Sequence, residues 1–586
     1  MLDPRVYRAG FVPVLFVLVV VGFSLRTPPR PLGATLSAQA FDATAAMATL
    51  RSLRADPALS DRRPGATGDD VLAGRVAAGL RRRRFVVSSR RFAARTAVGR
   101  RTLTAVVGER TGFSNRRVIV VAPRDAVRGR ATAQLSSTAA LLELGRVLGG
   151  RTLGRTLDLV STSGTEGGAG TAELPRHLGG PVEAVIVLGD IGGRSSHKPW
   201  VVPFSSSAAF APLRLRATVE AAVRAETGEA PGGIHPLTQW IRLAFPLTLG
   251  AQGPLLAHGT PAVLLGPGGE RGDAGEGVGP DRLQAFGRAA LRSVTALDAG
   301  PATGAPTSYV TVAHKVLPAW AVRLLVGALI LPALIAAVDG FARARRRREP
   351  MGAWLRWVLA GAAPFVLVVL LLRALGAVSL LPAAPPGPVQ AGVIPLHARG
   401  AIVLGAAAAL LALGWLVLRP LLLRVTRARG DAAAPGSGAA LMVVLCAATI
   451  VAWALNPFAA ALLVPALHLW LLAVAPEVRP RAPVGLSLAL AGLVPPLLVA
   501  VSYAAQFGWG PLQELWGGAL LVAGGGVSVL AALGWSVVLG CAAGVVVAVL
   551  SASRRSSLEG DTVTVRGPAS YAGPGSLGGT ESALRR

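Results

Sequence analysis

The stretch "RVIVVAPRDA", residues 117–126, decides how the first half of this chain folds. Val118 to Ala122 form an uninterrupted run of β-branched and small apolar residues, the signature of a strand buried on both faces in a parallel sheet covered by helices. Pro123, Arg124 and Asp125 then break the run and start a loop. In open α/β folds, binding sites gather in such loops at the carboxyl ends of the strands.

Working outward, four further runs predict strands: "LTAVVGE" (103–109), "TLDLVST" (156–162), "EAVIVLGD" (183–190) and "PAVLLGP" (261–267). Between and around them, "GDDVLAGRVAAGLRRR" (68–83), "SSTAALLELGRVLGG" (136–150), "PLTQWIRLAF" (236–245) and "PDRLQAFGRAALRSVTALD" (280–298) carry helical spacing and caps. The expectation is a three-layer α/β domain over residues 31–300 with a largely parallel sheet.

The rest of the chain obeys another solvent. Hydrophobic residues make up 52% of the 586 residues and the mean hydropathy is +0.54, too apolar for one soluble domain of this length. Eight segments come near the roughly 20 apolar residues that cross a bilayer: residues 9–25, 317–338, 353–375, 400–418, 438–455, 458–475, 483–504 and 528–550. The chain therefore divides into an amino-terminal end and anchor (1–30), the α/β domain, a linker (301–316), a bundle of about seven spans (317–550) and a disordered tail (551–586), with 517–527 a re-entrant or interfacial piece. Arg5 and Arg8, Arg343 to Arg348, Arg419 to Arg429, Arg479 and Arg481, and Arg554 and Arg555 fall on one side of the alternating spans. By the bias of cations toward the cytoplasm, both termini are expected there and the α/β domain outside the cell membrane. "SAQA" (37–40) offers a signal-peptidase pattern, but it lies too far beyond the first apolar run, so an uncleaved anchor is expected.

A net charge of +29 raises the question of nucleic acid. The cations are almost all arginine, with Lys198 and Lys315 the only lysines, a bias typical of a GC-rich bacterial genome, and no nucleic-acid partner is expected. Cys446 and Cys541 both lie in apolar stretches and build no disulfide framework. His468 is deep in a span, where a hydrogen-bonded neutral imidazole is the expectation.

"RRPGATGDDVLAGRVAAGLRRRRFVVSSRRFAA", "RVIVVAPRDA", "STAALLELGRVL", "RTLDLVSTSGTEGGAGTAEL", "VEAVIVLGDIGG" and "HGTPAVLLGPG" follow in the order and approximate spacing of the co-catalytic zinc aminopeptidases, the clan of bacterial leucyl aminopeptidases and glutamate carboxypeptidase. The resemblance covers residues 40–298 and implies that fold. Such enzymes hold two zinc ions with His, Asp and Glu ligands and use a further Glu as general base. Carried over residue by residue, the resemblance puts Pro123 where the first histidine ligand belongs and keeps Asp125. The bridging carboxylate falls on Ala133. Thr165 replaces the general base, while Glu166 survives as a ligand. Gly189 stands at the next carboxylate position, with Asp190 displaced by one and expected on the opposite face of its strand. The last histidine falls on Gln252.

These losses imply a vestigial site with no catalytic residue, no cofactor and an Arg124–Asp125 ion pair in place of a metal pocket. His197, His235 and His258 match no metal spacing, and "GTEGGAG" (164–170) lacks the lysine of a phosphate loop. The expected function is a membrane-anchored pseudo-peptidase serving as a substrate-binding or assembly subunit. Its partners would be the lipid bilayer and other membrane or extracytoplasmic proteins, or a peptide or lipid-linked ligand. The layout of one span, a large domain and a helical bundle is similar to that of the GPI-transamidase attachment subunit. Two alternatives stand: a divergent zinc-dependent membrane aminopeptidase using Asp125 and Glu166, and a transporter or lipid-handling protein with an accessory domain.

Overall fold

The computed structural model describes residues 4–126, 135–177, 179–194, 198–232, 234–271, 277–382, 384–385, 387–428, 432, 434–475, 478 and 480–559. Its α/β domain is built on strands β1 (Val86–Thr96), β2 (Gly99–Arg110), β3 (Ser114–Pro123), β4 (Arg155–Thr162), β5 (Val182–Leu188), β6 (Pro199–Val202) and β7 (Ala262–Pro267). They form one sheet in the order β1-β2-β4-β3-β5-β7-β6.

Strands β4, β3, β5 and β7 run parallel, and β1, β2 and β6 are antiparallel additions at the two edges. The sheet is thus mixed, and the parallel part that the apolar runs predict is its centre. β1 escapes the sequence pattern because "VVSSRRFAART" carries arginines where a half-buried strand would alternate. In the centre, Val118 to Ala122 are at most 1% exposed, as a strand covered on both faces requires. Helices Thr67–Arg82, Leu135–Leu148 and Pro280–Ala299 cover the sheet within a residue or two of the expected bounds. Ala43–Ala55 and Leu213–Thr227 are further helices that the sequence reading did not assign.

In the second half, six helices have the length and hydropathy of spans: Ala319–Arg346, Met351–Ala377, Ala398–Val425, Gly436–Leu455, Pro457–Val474 and Val529–Arg554. The pair Ala482–Ala491 and Val494–Phe507, bent by 46°, makes up to seven, and the first apolar helix, Tyr7–Phe23, is shorter than these. The eight segments of the hydropathy pattern are therefore all helical, but eight full spans are not. Helix Pro511–Gly524 occupies the stretch read as re-entrant or interfacial. Two boundaries move. The expected linker contains a hairpin, β8 (Tyr309–Val312) with β9 (Lys315–Pro318), bridged to Arg26 through Val316. The last helix continues to Glu559, past the expected start of the tail, whose remainder lies outside the described residues.

The two halves share one buried core, continuous from Ile186 in the sheet through Tyr309 to Trp470 in the bundle. Helix Pro236–Ala244 makes the joint. The Trp240 indole donates to the Phe458 carbonyl at 3.2 Å, and the Asn456 amide donates to the Leu243 carbonyl at 2.8 Å. His468 is held as the sequence suggests: Nδ1 is 2.8 Å from the Tyr7 hydroxyl and Nε2 is 3.0 Å from the Leu329 carbonyl. With Nε2 as donor and Nδ1 as acceptor, one neutral tautomer satisfies both partners.

Candidate ligand cleft at the strand ends

The loops after β3, β4, β5 and β7 line a cleft open to solvent, with about 670 Å³ of space including its mouth. Pro123, Asp125, Thr165, Glu166, Gly189 and Asp190 line it, so the fold gathers six of the eight positions that the sequence resemblance marks. Ala133 lies outside the described residues. Gln252 opens the short helix Gln252–Ala257, fully buried, with its amide donating to the Phe204 carbonyl (3.0 Å) and Thr248 Oγ1 (3.1 Å). Gly250 and Ala251 line the cleft near it instead.

Two expectations fail at this point. Arg124 does not pair with Asp125. Consecutive side chains of an extended backbone leave on opposite sides; Arg124 turns into the core, where its Nε lies 2.7 Å from Asp69 and its remaining nitrogens donate to the carbonyls of Thr104 (2.6 Å) and Ser161 (3.1 Å). Both members of the pair are fully buried. Asp190, in turn, does not point away from the cleft. β5 ends at Leu188, so Asp190 belongs to the bend after the strand, where strand alternation no longer applies, and it faces the cleft.

The acids of the cleft are each engaged. Asp125, 2% exposed, accepts from the Thr165 main-chain N–H at 3.1 Å and from its hydroxyl at 2.5 Å. Glu166 accepts from the main-chain N–H of Gln390 at 3.3 Å, and Gln390 comes from the bundle segment between helices Ala363–Ala377 and Ala398–Leu413. The same segment reaches Gly167, whose carbonyl accepts from the Gly387 N–H. A glycine is required there: φ is +74°, and a Cβ would sit 2.3 Å from Cβ of Pro385. The apolar helical half of the chain thus forms part of the cleft wall.

Sequence reasoning missed Ser137, Glu270, Arg271 and Gln390 in that wall. Glu270 and Arg271 follow the carboxyl end of β7, the place where an α/β site is expected to add residues, and that was the available signal. Gln390 had none, since only tertiary contact brings it there. Glu270 is paired with Arg242 at 2.9 Å and accepts from Thr248 Oγ1 and, at 3.3 Å, from the Leu249 N–H. No three His, Cys, Asp or Glu side chains among the described residues converge as a metal site. His258 bonds the Pro254 carbonyl on the surface, His235 stands at the N-cap position of helix Pro236–Ala244 without a side-chain cap bond, and His197 lies outside the described residues.

Burial pushes the Asp125 carboxyl up to about 6, with Asp69 adding to the rise and the Thr165 hydrogen bonds and Arg124 opposing it. Its folded value thus lies above the unfolded one near 4, so between those values the folded state holds a proton that the unfolded state has lost. Stability from this group falls as pH rises from about 4 to about 6, by up to about 3 kcal/mol, and is level above that. Thermal melts of the wild type at pH 5 and pH 7.5 are expected to show the higher Tm at pH 5, and Asp125→Asn should flatten the difference. An unchanged difference in that variant would assign the pH dependence to other groups.

No family model matches this chain, and no curated protein matches it in sequence. Solved structures are similar to part of it in fold. Porphyromonas gingivalis glutaminyl cyclase is similar over 44% of this chain and 98% of its own, with 18% identity and a TM-score of 0.36. A leucine aminopeptidase precursor from Bacteroides thetaiotaomicron covers 44% and 97%, with 16% identity and a TM-score of 0.36. A Zn-dependent exopeptidase from Parabacteroides distasonis covers 43% and 98%, with 18% identity and a TM-score of 0.33.

Proposed function

We propose that this protein is a membrane-embedded pseudo-peptidase that binds a peptide or lipid-linked ligand in the cleft, without hydrolysing it, as a substrate-binding or assembly subunit. One observation carries the reading: the carboxylates of the cleft are engaged by partners of this chain's own making. Asp125 is bonded by Thr165, Glu166 by the Gln390 main chain, and Glu270 by Arg242. Pro123 and the buried amide of Gln252 stand where the resemblance would place imidazoles. A zinc dication needs anionic and imidazole donors free to converge on it, and this donor set does not fit a two-zinc centre.

An assembly role rests on the layout resembling the GPI-transamidase attachment subunit and on the cleft being walled jointly by domain and bundle. The arginine-rich ends Arg343 to Arg346, Arg424 and Arg554 lie at the helix ends remote from those that meet the domain. By the cation bias this puts the α/β domain on the extracytoplasmic side of the cell membrane, with the bilayer and neighbouring membrane proteins as its partners.

The protein purified after dialysis against zinc is expected to hold less than one zinc ion per chain by atomic emission and to show no chelator-sensitive hydrolysis of aminoacyl anilides. Two tightly held zinc ions, or hydrolysis abolished by Glu166→Gln, would overturn the reading in favour of a divergent aminopeptidase.

A further inference from the structure

The hairpin of β1 and β2 has a job that sheet formation does not explain. β2 pairs with β4 only from Val106 to Arg110, so residues 99–105 and their β1 partners run on as a two-stranded ribbon beyond Ser161 of β4. Seven strand residues span about 20 Å. β2 is antiparallel to β4, so the ribbon extends from the sheet at the carboxyl ends of the parallel strands. That is the end on which the bundle docks, through Gly387 on Gly167, Gln390 on Glu166 and Gln506 on Arg242. One side of the ribbon packs beside the same loop, with Leu103 buried against Gly164. The turn Ala97–Val98 at its tip therefore lies on the side of the sheet on which the bundle docks.

Residues 86–105 hold five arginines and no acid. Arg91, Arg95, Arg100 and Arg101 are exposed, and none of these four has an ion pair among the described residues. Arg95 and Arg100 are directly opposite each other and share a face of the ribbon with Arg91, while Arg101, opposite Ala94, leaves from the other face. Like charges facing across a strand pair are destabilising. Charges that only guard an exposed strand edge have no need to face one another. A concentrated anion relieves the repulsion, and guanidinium forks suit phosphate oxygens.

We infer that this arginine ribbon docks on the phosphate headgroups of anionic phospholipids in the leaflet beside the α/β domain. Contact there would fix the domain's tilt over the bundle from a second point, well away from the joint at helix Pro236–Ala244. Each arginine near an anionic surface shifts the partition by about fivefold.

The test uses the full chain in nanodiscs of phosphatidylcholine, with or without phosphatidylglycerol, and a fluorophore on Ala97→Cys. Cys446 and Cys541 are buried and stay unlabelled. A nitroxide on a lipid headgroup is expected to quench the fluorophore about threefold more in the anionic discs. The gain should vanish when Arg91, Arg95, Arg100 and Arg101 are all replaced by glutamine, and when salt is raised from about 0.1 to about 1 M. The salt titration reads the native arginines, so a glutamine variant that misfolds does not spoil the test. Equal quenching in both discs, or a gain that survives both high salt and the glutamines, would overturn the proposal. Inorganic phosphate protecting the ribbon in neutral discs as well as the anionic lipid does would also overturn it, making a soluble anion the ligand.

Discussion

Arg124→Met is expected to destabilise the α/β domain by about 3–5 kcal/mol, the cost of leaving a buried carboxylate without its cation. Asp69 is 0% exposed and, among the described residues, would keep the Gly65 N–H, at 3.0 Å, as a hydrogen-bond donor. The carbonyls of Thr104 and Ser161 would lose their donor as well. Replacing both charges, in Asp69→Leu with Arg124→Met, should recover much of the loss, because a buried pair exchanged for apolar side chains is often neutral or better. Chemical denaturation in detergent checks both. A single variant as stable as wild type would show that the pair does not hold the β3 loop. The position matters beyond stability, since this guanidinium stands next to Asp125 in sequence and yet serves the core, leaving Asp125 to Thr165.

Arg242→Ala is expected to loosen the domain from the bundle, again by about 3–5 kcal/mol. Arg242 and Glu270 are 3% and 6% exposed. Besides its pair with Glu270, the guanidinium donates to Gln506 Oε1 at 2.6 and 3.0 Å and to the Leu247 carbonyl. It also lies 4.6 Å from the ring centre of Phe204, 5.2 Å from that of Tyr503 and 5.3 Å from that of Phe507. Phe204 belongs to the domain, whereas Tyr503, Gln506 and Phe507 belong to the helix Val494–Phe507. One side chain thus links the cleft wall to an apolar helix of the bundle. Truncation should split a single melting transition into two and expose helix Pro236–Ala244 to protease. Arg242→Lys keeps the charge but not the planar fork, and should fall between. A single, unshifted transition in the alanine variant would show that the shared core alone holds the halves together.

The helices Leu135–Leu148 and Pro280–Ala299 and strands β3, β4, β5 and β7 were legible because burial imposes a period on the sequence whatever the loops between them carry. β6, of four residues, and the arginine-bearing β1 were not, since a short or half-solvated edge strand imposes no such period. The cleft was half legible. Asp125, Thr165 and Glu166 sit at strand ends that the sequence marks directly, whereas Asp190 was misplaced because its facing depended on where β5 stops. Glu270 was missed although it follows a marked strand, and Gln390 lay more than two hundred residues from the loop it caps.

The sequence by itself determined an α/β domain joined to apolar helices and placed Pro123, Asp125, Thr165 and Glu166 in loops that follow its strands, because hydropathy, period and side-chain chemistry are local properties. Only the tertiary structure decided that Arg124 pairs with Asp69, that the bundle helps wall the cleft, and that an arginine ribbon extends past the sheet. Those outcomes depend on which way a side chain leaves its strand, and on which distant segments share one buried core, and neither is written in any single stretch of chain.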